Sequence, residues 1–161
     1  MSLPGNAGHE IPMSLRGAYL ALHRLADVDF TPYGITADQF PVLVVLRNGM
    51  VLTQADVCRR SHTDPNTMGS MLALMQTRGL VRRMRHPADG RVPTVVLTPK
   101  GKRVFTRAFN GTETAHGGRL SGLFRPEEVK ALVGFLHRIF QEFPPPPRRR
   151  KKQPLATMMD A

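Results

Sequence analysis

The sequence predicts a mainly α-helical domain with one small β-hairpin. Apolar residues recur at helical spacing in several segments between residues 13 and 142. Two short segments, residues 80–85 and 92–97, flank a turn that contains Pro87 and Gly90, which is typical of a hairpin. A chain of 161 residues is long enough for one domain with a real hydrophobic core.

The first helix is predicted to begin near Met13 and to run to about residue 29, after a flexible arm over residues 1–12. Thr36 then begins a helix with a capping box, because its side chain can accept from the backbone of Gln39 and Gln39 can reach back. Apolar residues lie on nearly every side of this second helix, which predicts burial on most faces.

Two further helices follow at short intervals. Thr53 starts a helix through about Ser61. Asp64 caps the next one, with Pro65 at its first position, and Gly79 stops it after Arg78. The residues of this helix that follow core-facing spacing are Met68, Met71, Leu72 and Met75.

The two strands come next, and Pro93 predicts an edge position for the second. Thr98 and Pro99 restart a helix, and a last helix runs from Pro126 to about Glu142. Residues 143–161 form a proline-rich and basic tail, for which solvated disorder and auxiliary contact with DNA are equally open.

The charge is concentrated rather than spread along the chain. The formal net charge is +11. Residues 78–107 hold nine basic residues and one acidic residue, a net of +8, whereas residues 1–58 have a net charge of −2. A local excess on a strand–turn–strand pattern favours contact with a polyanion over a merely solvated surface.

Several classes of protein are disfavoured. The single cysteine, Cys58, excludes an internal disulfide framework and is expected to be a packed core thiol rather than a redox sensor. The six histidines lack metal-ligand spacing, so we expect no metal and no other cofactor. Without a membrane-spanning segment or a signal peptide, the protein is expected to be cytoplasmic. No nucleophile–base pair or phosphate loop indicates an enzyme.

The order helix, helix, short turn, helix, hairpin is that of a winged helix-turn-helix, here over residues 36–98. The helix from Asp64 to Arg78 has the width of the DNA major groove. Its outward positions near the start carry short or absent side chains, namely Asn66, Thr67, Gly69 and Ser70. The hairpin supplies arginines suited to phosphate or the minor groove, namely Arg82, Arg83, Arg85 and Arg91.

The segments ITADQFPVL (residues 35–43) and LVRRMRHPADGRVPTVVLTPKG (residues 80–101) together resemble the MarR family of regulators. The resemblance covers residues 13–142 in element order and is strongest over 35–103. It implies a triangular homodimer, with dimerisation helices at residues 13–29 and 99–142.

The resemblance also implies roles for individual residues. At the wing tip, Asp89 would steady Arg91, which would enter the minor groove. Thr53 and Gln54 would begin a helix that approaches a phosphate, where unpaired N–H groups attract anions. Recognition-helix positions correspond to Asn66, Thr67 and Ser70.

This chain departs from the family pattern at the DNA-facing positions. Ser70 stands where a basic residue is common, Gly69 and Leu74 stand where polar residues are common, and Gly90 replaces a usual arginine at the wing tip. These departures predict weaker base readout, with more of the affinity coming from the wing and the tail.

The resemblance further implies a cleft between the DNA-binding lobe and the dimer helices, in which relatives often bind aromatic acids. The candidate lining residues are Arg16, Tyr19, His23 and Arg47. The alternative, that these are ordinary surface and core residues with no ligand, is also open. Urate-sensing relatives typically use a tryptophan, and this chain has none, so the resemblance does not imply urate as the ligand.

The function predicted is that of a homodimeric repressor that binds a pseudo-palindromic operator in double-stranded DNA and is released by a small aromatic ligand. Two alternatives remain open at this point. One is an architectural DNA-binding protein of low specificity, favoured by the plain recognition helix and the basic tail. The other is a winged-helix interaction module without DNA, for which the charge of residues 78–107 has no obvious purpose.

Overall fold

The computed structural model describes residues 7–85, 91–113, 119 and 122–143. The chain divides into two compact units, Met1–Arg119 and Leu120–Ala161. The mainly helical fold with a small antiparallel sheet is confirmed. The helices are α1 Ala7–Phe30, a 3-10 helix Thr31–Tyr33, α2 Gln39–Leu46, α3 Gln54–Ser61, α4 Pro65–Thr77, α5 Pro99–Thr112 and α6 Pro126–Glu142, and the strands are β1 Leu52–Thr53, β2 Val81–Arg85 and β3 Pro93–Leu97.

Helix α1 begins at Ala7, so the predicted start near Met13 was wrong. Pro12 lies inside the helix. A proline this near the start removes one backbone hydrogen bond, and a helix of 24 residues keeps the others. Residues 1–6 of the expected arm and residues 144–161 of the expected tail lie outside the described residues.

Helix α2 forms the centre of the first unit. The reciprocal contact between Thr36 and Gln39 is present, because the Gln39 N–H donates to Thr36 Oγ1 at 3.2 Å and the Thr36 N–H donates to Gln39 Oε1 at 3.4 Å. Regular helix begins at Gln39 rather than Thr36. Val42, Leu43 and Leu46 are completely buried, which confirms the predicted burial of this helix.

The sheet has three strands in the order β1-β3-β2, and the short β1 was not predicted from the sequence. The expectation that Pro93 lies on an edge strand was wrong, because β3 is the central strand. Pro93 is tolerated there because it is the first residue of β3 and pairs only with Arg85, whereas β1 pairs with Thr94 and Val95.

Two helix ends, the last turn of α4 and the first turn of α5, have well-defined caps. Gly79, with φ of 69°, follows α4 in the left-handed conformation that glycine adopts without strain. The Thr98 side chain caps α5 by accepting from the Gly101 N–H at 3.0 Å.

Among the described residues, no helix has the length and apolar character needed to cross a membrane.

Candidate nucleic-acid interface

Helices α3 and α4 are joined by a three-residue turn, and both the first and the last residue of the turn stabilise it. His62 ends α3 in the left-handed conformation, with φ of 55°. Asp64 then caps α4, because its Oδ1 accepts from the N–H groups of Asn66 and Thr67 at 3.0 Å each. Hydrogen bonds from the side chain and the backbone of Thr67 lower the pKa of the Asp64 carboxyl. The turn therefore sets the start of α4 sharply.

Helix α4 has one buried face and one exposed face. Met68, Met71, Leu72 and Met75 are buried, as predicted. The side chains on the opposite face are Asn66, Ser70, Ala73 and Thr77, and all four are exposed. We call this stripe the reading face, because it is the part of α4 that can approach another molecule.

Two of the predicted recognition residues lie beside the reading face rather than on it. Thr67 is exposed but lines a cleft next to α1. Gly69 is half-buried, and a Cβ placed there would lie 3.6 Å from Gln54 Nε2. Gln54 also reaches the start of α4, because its Nε2 donates to the Pro65 carbonyl at 3.5 Å. An added Cβ would make only an ordinary contact there, so the packing of α3 on α4 does not itself require glycine at position 69.

The hairpin of β2 and β3 presents its arginines to solvent. Arg82, Arg83, Met84 and Arg85 are exposed, whereas Thr94 to Leu97 of β3 are buried. One open groove is lined by Arg83, Met84, Arg85, Arg91 and Pro93. Asp89 and the rest of the predicted turn, residues 86–90, lie outside the described residues.

A second groove joins the hairpin to the reading face. Its lining residues are Ala73, Gln76, Thr77 and Arg83. Sequence reasoning did not single out Ala73, Gln76 or Thr77, although Ala73 and Thr77 continue the helical spacing that begins at Asn66 and Ser70. The structure therefore brings the end of α4 and the basic strand β2 onto one continuous surface.

Two basic side chains of residues 78–107 form hydrogen bonds within the fold. The Arg78 guanidinium donates to the Gly34 carbonyl, and Lys100 Nζ donates to the Arg78 carbonyl at 2.8 Å. These bonds tie the end of α4 to the loop after α1 and to the start of α5. Arg83 of the hairpin, by contrast, lines the same groove as Ala73 and Thr77 of the reading face.

The start of α3 is held by a capping box between Thr53 and Asp56. Thr53 Oγ1 accepts from the Asp56 N–H at 3.1 Å, and the Thr53 N–H donates to Asp56 Oδ2 at 3.3 Å. The Thr53 hydroxyl also donates to Asp56 Oδ2 at 2.6 Å. That hydroxyl is the main cause of the lowered pKa of Asp56, and the Arg59 guanidinium adds to it.

We expect Asp56→Asn to lower the free energy of unfolding by about 1 kcal/mol at neutral pH, because the capping box loses its charge-assisted bonds. The pKa of Asp56 is lowered on folding, so its contribution is full above the ordinary value of 3.8 and is lost as the pH falls through the folded value. Urea unfolding at several pH values should therefore show the two proteins converging below that range. A difference that stays constant down to the most acidic pH would contradict this assignment.

A cleft of about 580 Å³ lies between α1, the start of α2 and the α3–α4 turn. Tyr19 and His23 of α1 line it, with their ring centroids 5.5 Å apart. His23 Nε2 lies 3.1 Å from Asp38 Oδ1, and His23 Nδ1 lies 3.4 Å from Asp27 Oδ2. The remaining lining residues are Leu22, Ala26, Ala37, Asp38, Pro41, Ser61, His62, Thr63, Asp64 and Thr67.

The other two candidates for this cleft, Arg16 and Arg47, are not among its described lining residues. Arg47 follows the far end of α2 and donates to the Val44 carbonyl at 3.3 Å, and Arg16 is exposed on α1. Cys58 is buried in the core, as expected. Within the described ranges, no group of three or more His, Cys, Asp or Glu residues could hold a metal ion.

Comparison with known proteins identifies this architecture. The MarR family model matches residues 33–92. Transcriptional regulator HosA of Escherichia coli O111:H- is 32% identical over 91 residues, which cover 55% of this chain and 67% of that relative. The chain belongs to the MarR family. The resemblance predicted from residues 35–43 and 80–101 is thereby confirmed, and the protein is a MarR-family transcriptional regulator.

Solved structures of the repressor CouR have the same fold as this MarR-family chain. CouR bound to a 23-mer DNA duplex is 27% identical, with a TM-score of 0.75 over 86% of this chain and 98% of that one. CouR bound to p-coumaroyl-CoA is 26% identical, with a TM-score of 0.75 over 89% of this chain and all of that one. The predicted winged helix-turn-helix is confirmed.

Proposed function

We propose that the protein is a cytoplasmic, homodimeric repressor that binds a pseudo-palindromic DNA operator and catalyses no reaction. The observation that carries the proposal is the single surface formed by the reading face of α4 and the arginines of β2. That CouR has been solved on a DNA duplex supports it. In a two-fold dimer, the two copies of α4 would read half-sites about 10 base pairs apart.

The roles of individual residues follow from this proposal. Asn66 and Ser70 would contact base edges, and Arg83, Arg85 and Arg91 would contact phosphates or the minor groove. Thr53 and Gln54 would place the start of α3 near a phosphate. Asp89 keeps its proposed role of steadying Arg91.

The dimer is proposed from two apolar helix faces that water would otherwise cover. On α1, Met13 and Leu20 lie seven residues apart on one side of the helix and are 68% and 37% exposed. Exposed apolar surface on a helix face marks an interaction site. In α6, where no residue is buried, the exposed apolar residues are Val129, Leu132, Val133, Phe135, Leu136 and Phe140.

We expect Leu132→Asp combined with Leu136→Asp to convert the dimer to a monomer and to weaken binding to a palindromic operator at least a hundredfold, because one α4 would bind alone. Sedimentation and gel shifts with duplexes selected from a random pool measure both effects. Lys130 lies on the polar side of α6, and Lys130→Asp changes the charge by the same two units. This control should leave the oligomeric state and the affinity for DNA unchanged. A double variant that stays dimeric would contradict the assigned interface.

We further propose that a small aromatic ligand in the cleft releases the DNA. The cleft lies within the usual size range of ligand sites, and it touches Asp64 and Thr67, which begin the recognition helix. The complex of CouR with p-coumaroyl-CoA supports a ligand-responsive repressor. The described lining residues include Asp38 and Asp64 but neither lysine nor arginine, so we expect the ligand to be neutral or cationic.

Thermal denaturation with salicylamide and salicylate tests this charge preference. We expect the neutral amide to raise the melting temperature in a dose-dependent way, by binding the folded state, and the acid to have little effect. Tyr19→Ala should abolish the response because one aromatic wall is lost, whereas Arg16→Ala, outside the lining, should not. A larger response to salicylate than to salicylamide would contradict the proposed ligand charge.

A further inference from the structure

The reading face of α4 carries no charge. The helix sequence from Pro65 to Thr77 contains no acidic or basic residue, and the four side chains that point outward are small. Guanine presents two acceptors to the major groove, and arginine or lysine is its commonest partner. A helix without such a residue is poorly suited to read guanine.

The hydroxyl protons on this surface are already used within α4. Ser70 Oγ donates to the Asn66 carbonyl at 3.5 Å, and Thr77 Oγ1 donates to the Ala73 carbonyl at 3.1 Å. The Thr67 side chain is bonded to Asp64. The donors that α4 can direct at a base are therefore mainly the side-chain amides of Asn66 and Gln76, and an amide pairs in two places with adenine.

Methyl groups make up the rest of the surface. Because the Thr77 hydroxyl is bonded to the helix backbone, its methyl group is available on the outer side, next to the methyl of Ala73. Leu74, beside the stripe, is 52% exposed. In the major groove, the base atom that such groups can bury is the C5-methyl of thymine.

We propose that α4 selects A·T base pairs, with Asn66 and Gln76 reading adenine and with Ala73, Leu74 and Thr77 covering thymine methyls. This inference rests on the proposed function as an operator-binding regulator. The arginines of the hairpin then supply affinity through the DNA backbone, while base identity at the centre of each half-site comes mainly from apolar contact and amides.

The test begins with selection of duplexes from a random pool by the full-length protein, followed by a scan in which each thymine of the selected site is replaced by deoxyuridine. That replacement removes only the C5-methyl and leaves the pairing and the minor-groove edge intact. We expect A·T pairs at the centre of each half-site and a loss of about fourfold in affinity for each contacted methyl.

Thr77→Ser tests the protein side of the same contact, since it removes one methyl group and keeps the hydroxyl. We expect this variant to become insensitive to deoxyuridine at one thymine of each half-site. Thr106→Ser is the matched control, because Thr106 is exposed on α5 with the same bond to the backbone, to the Lys102 carbonyl at 3.1 Å. If each deoxyuridine replacement weakened binding of the Thr77→Ser variant as much as it weakens binding of the unaltered protein, the role of Thr77 would be overturned.

Ser70→Arg supplies the donor that the reading face lacks and should shift the selected site toward guanine. Guanine at the centre of the half-sites selected by the unaltered protein would overturn the inference. So would a deoxyuridine scan in which no position changes affinity by more than twofold, or a pool without enrichment despite tight binding. Failure to bind any duplex at low salt would instead refute the proposed function itself.

Discussion

Replacement of Arg83, Arg85 and Arg91 together by glutamine is expected to weaken binding to duplex DNA about a thousandfold at about 50 mM salt. All three side chains are exposed along the hairpin, and Arg83 also borders the reading face of α4. The proposed dimer would carry six of these arginines. With about half of them on phosphates, the slope of log K against log salt should fall by about 3, because each phosphate contact releases about 0.9 of a counterion.

A matched triple variant separates contact from total charge. Arg24, Arg103 and Arg138 are exposed on α1, α5 and α6, outside the two strands of the hairpin. Their replacement by glutamine removes the same charge and should change the affinity less than tenfold. Titrations of both variants at several salt concentrations give the slopes. Equal losses in the two variants would mean that net charge, rather than the hairpin, supplies the affinity.

The parts of the fold that were predictable from the sequence depend on local interactions. Asp64 and Pro65 specify the start of α4 because the bonds of the cap join residues two and three apart. Thr98 and Pro99 do the same for α5. The methionine face of α4 followed from helical spacing alone, and so did the exposure of Asn66 and Ser70.

The features that were missed depend on residues far apart in the chain. Strand β1 has two residues, and only its pairing with Val95 and Thr94 makes it a strand. The contact of His23 in α1 with Asp38, the residue before α2, joins positions 15 residues apart. No local pattern contains this information.

Gly101 shows most sharply how a long-range contact constrains one position, and Gly101→Ala is expected to be severely destabilising. A Cβ at Gly101 would collide with the backbone carbonyl oxygen of Leu80 and would lie 3.3 Å from the Leu97 side chain. That carbonyl cannot move aside cheaply. It accepts from the Thr98 N–H at 3.1 Å and from the Thr98 hydroxyl at 3.2 Å, and Leu80 and Leu97 are both buried.

We expect Gly101→Ala to lower the free energy of unfolding by about 3 kcal/mol and the melting temperature by roughly 10 °C, since overpacking against backbone forces α5 away from β2. Urea and thermal unfolding measure the change. Gly17→Ala is the control, because Gly17 lies inside α1 with nothing within 4 Å of an added Cβ, and it should gain up to about 1 kcal/mol from better helix propensity. If Gly101→Ala melted within about 2 °C of the unaltered protein, α5 would not be packed on Leu80 as described, and the frame that orients the hairpin beside α4 would be wrong.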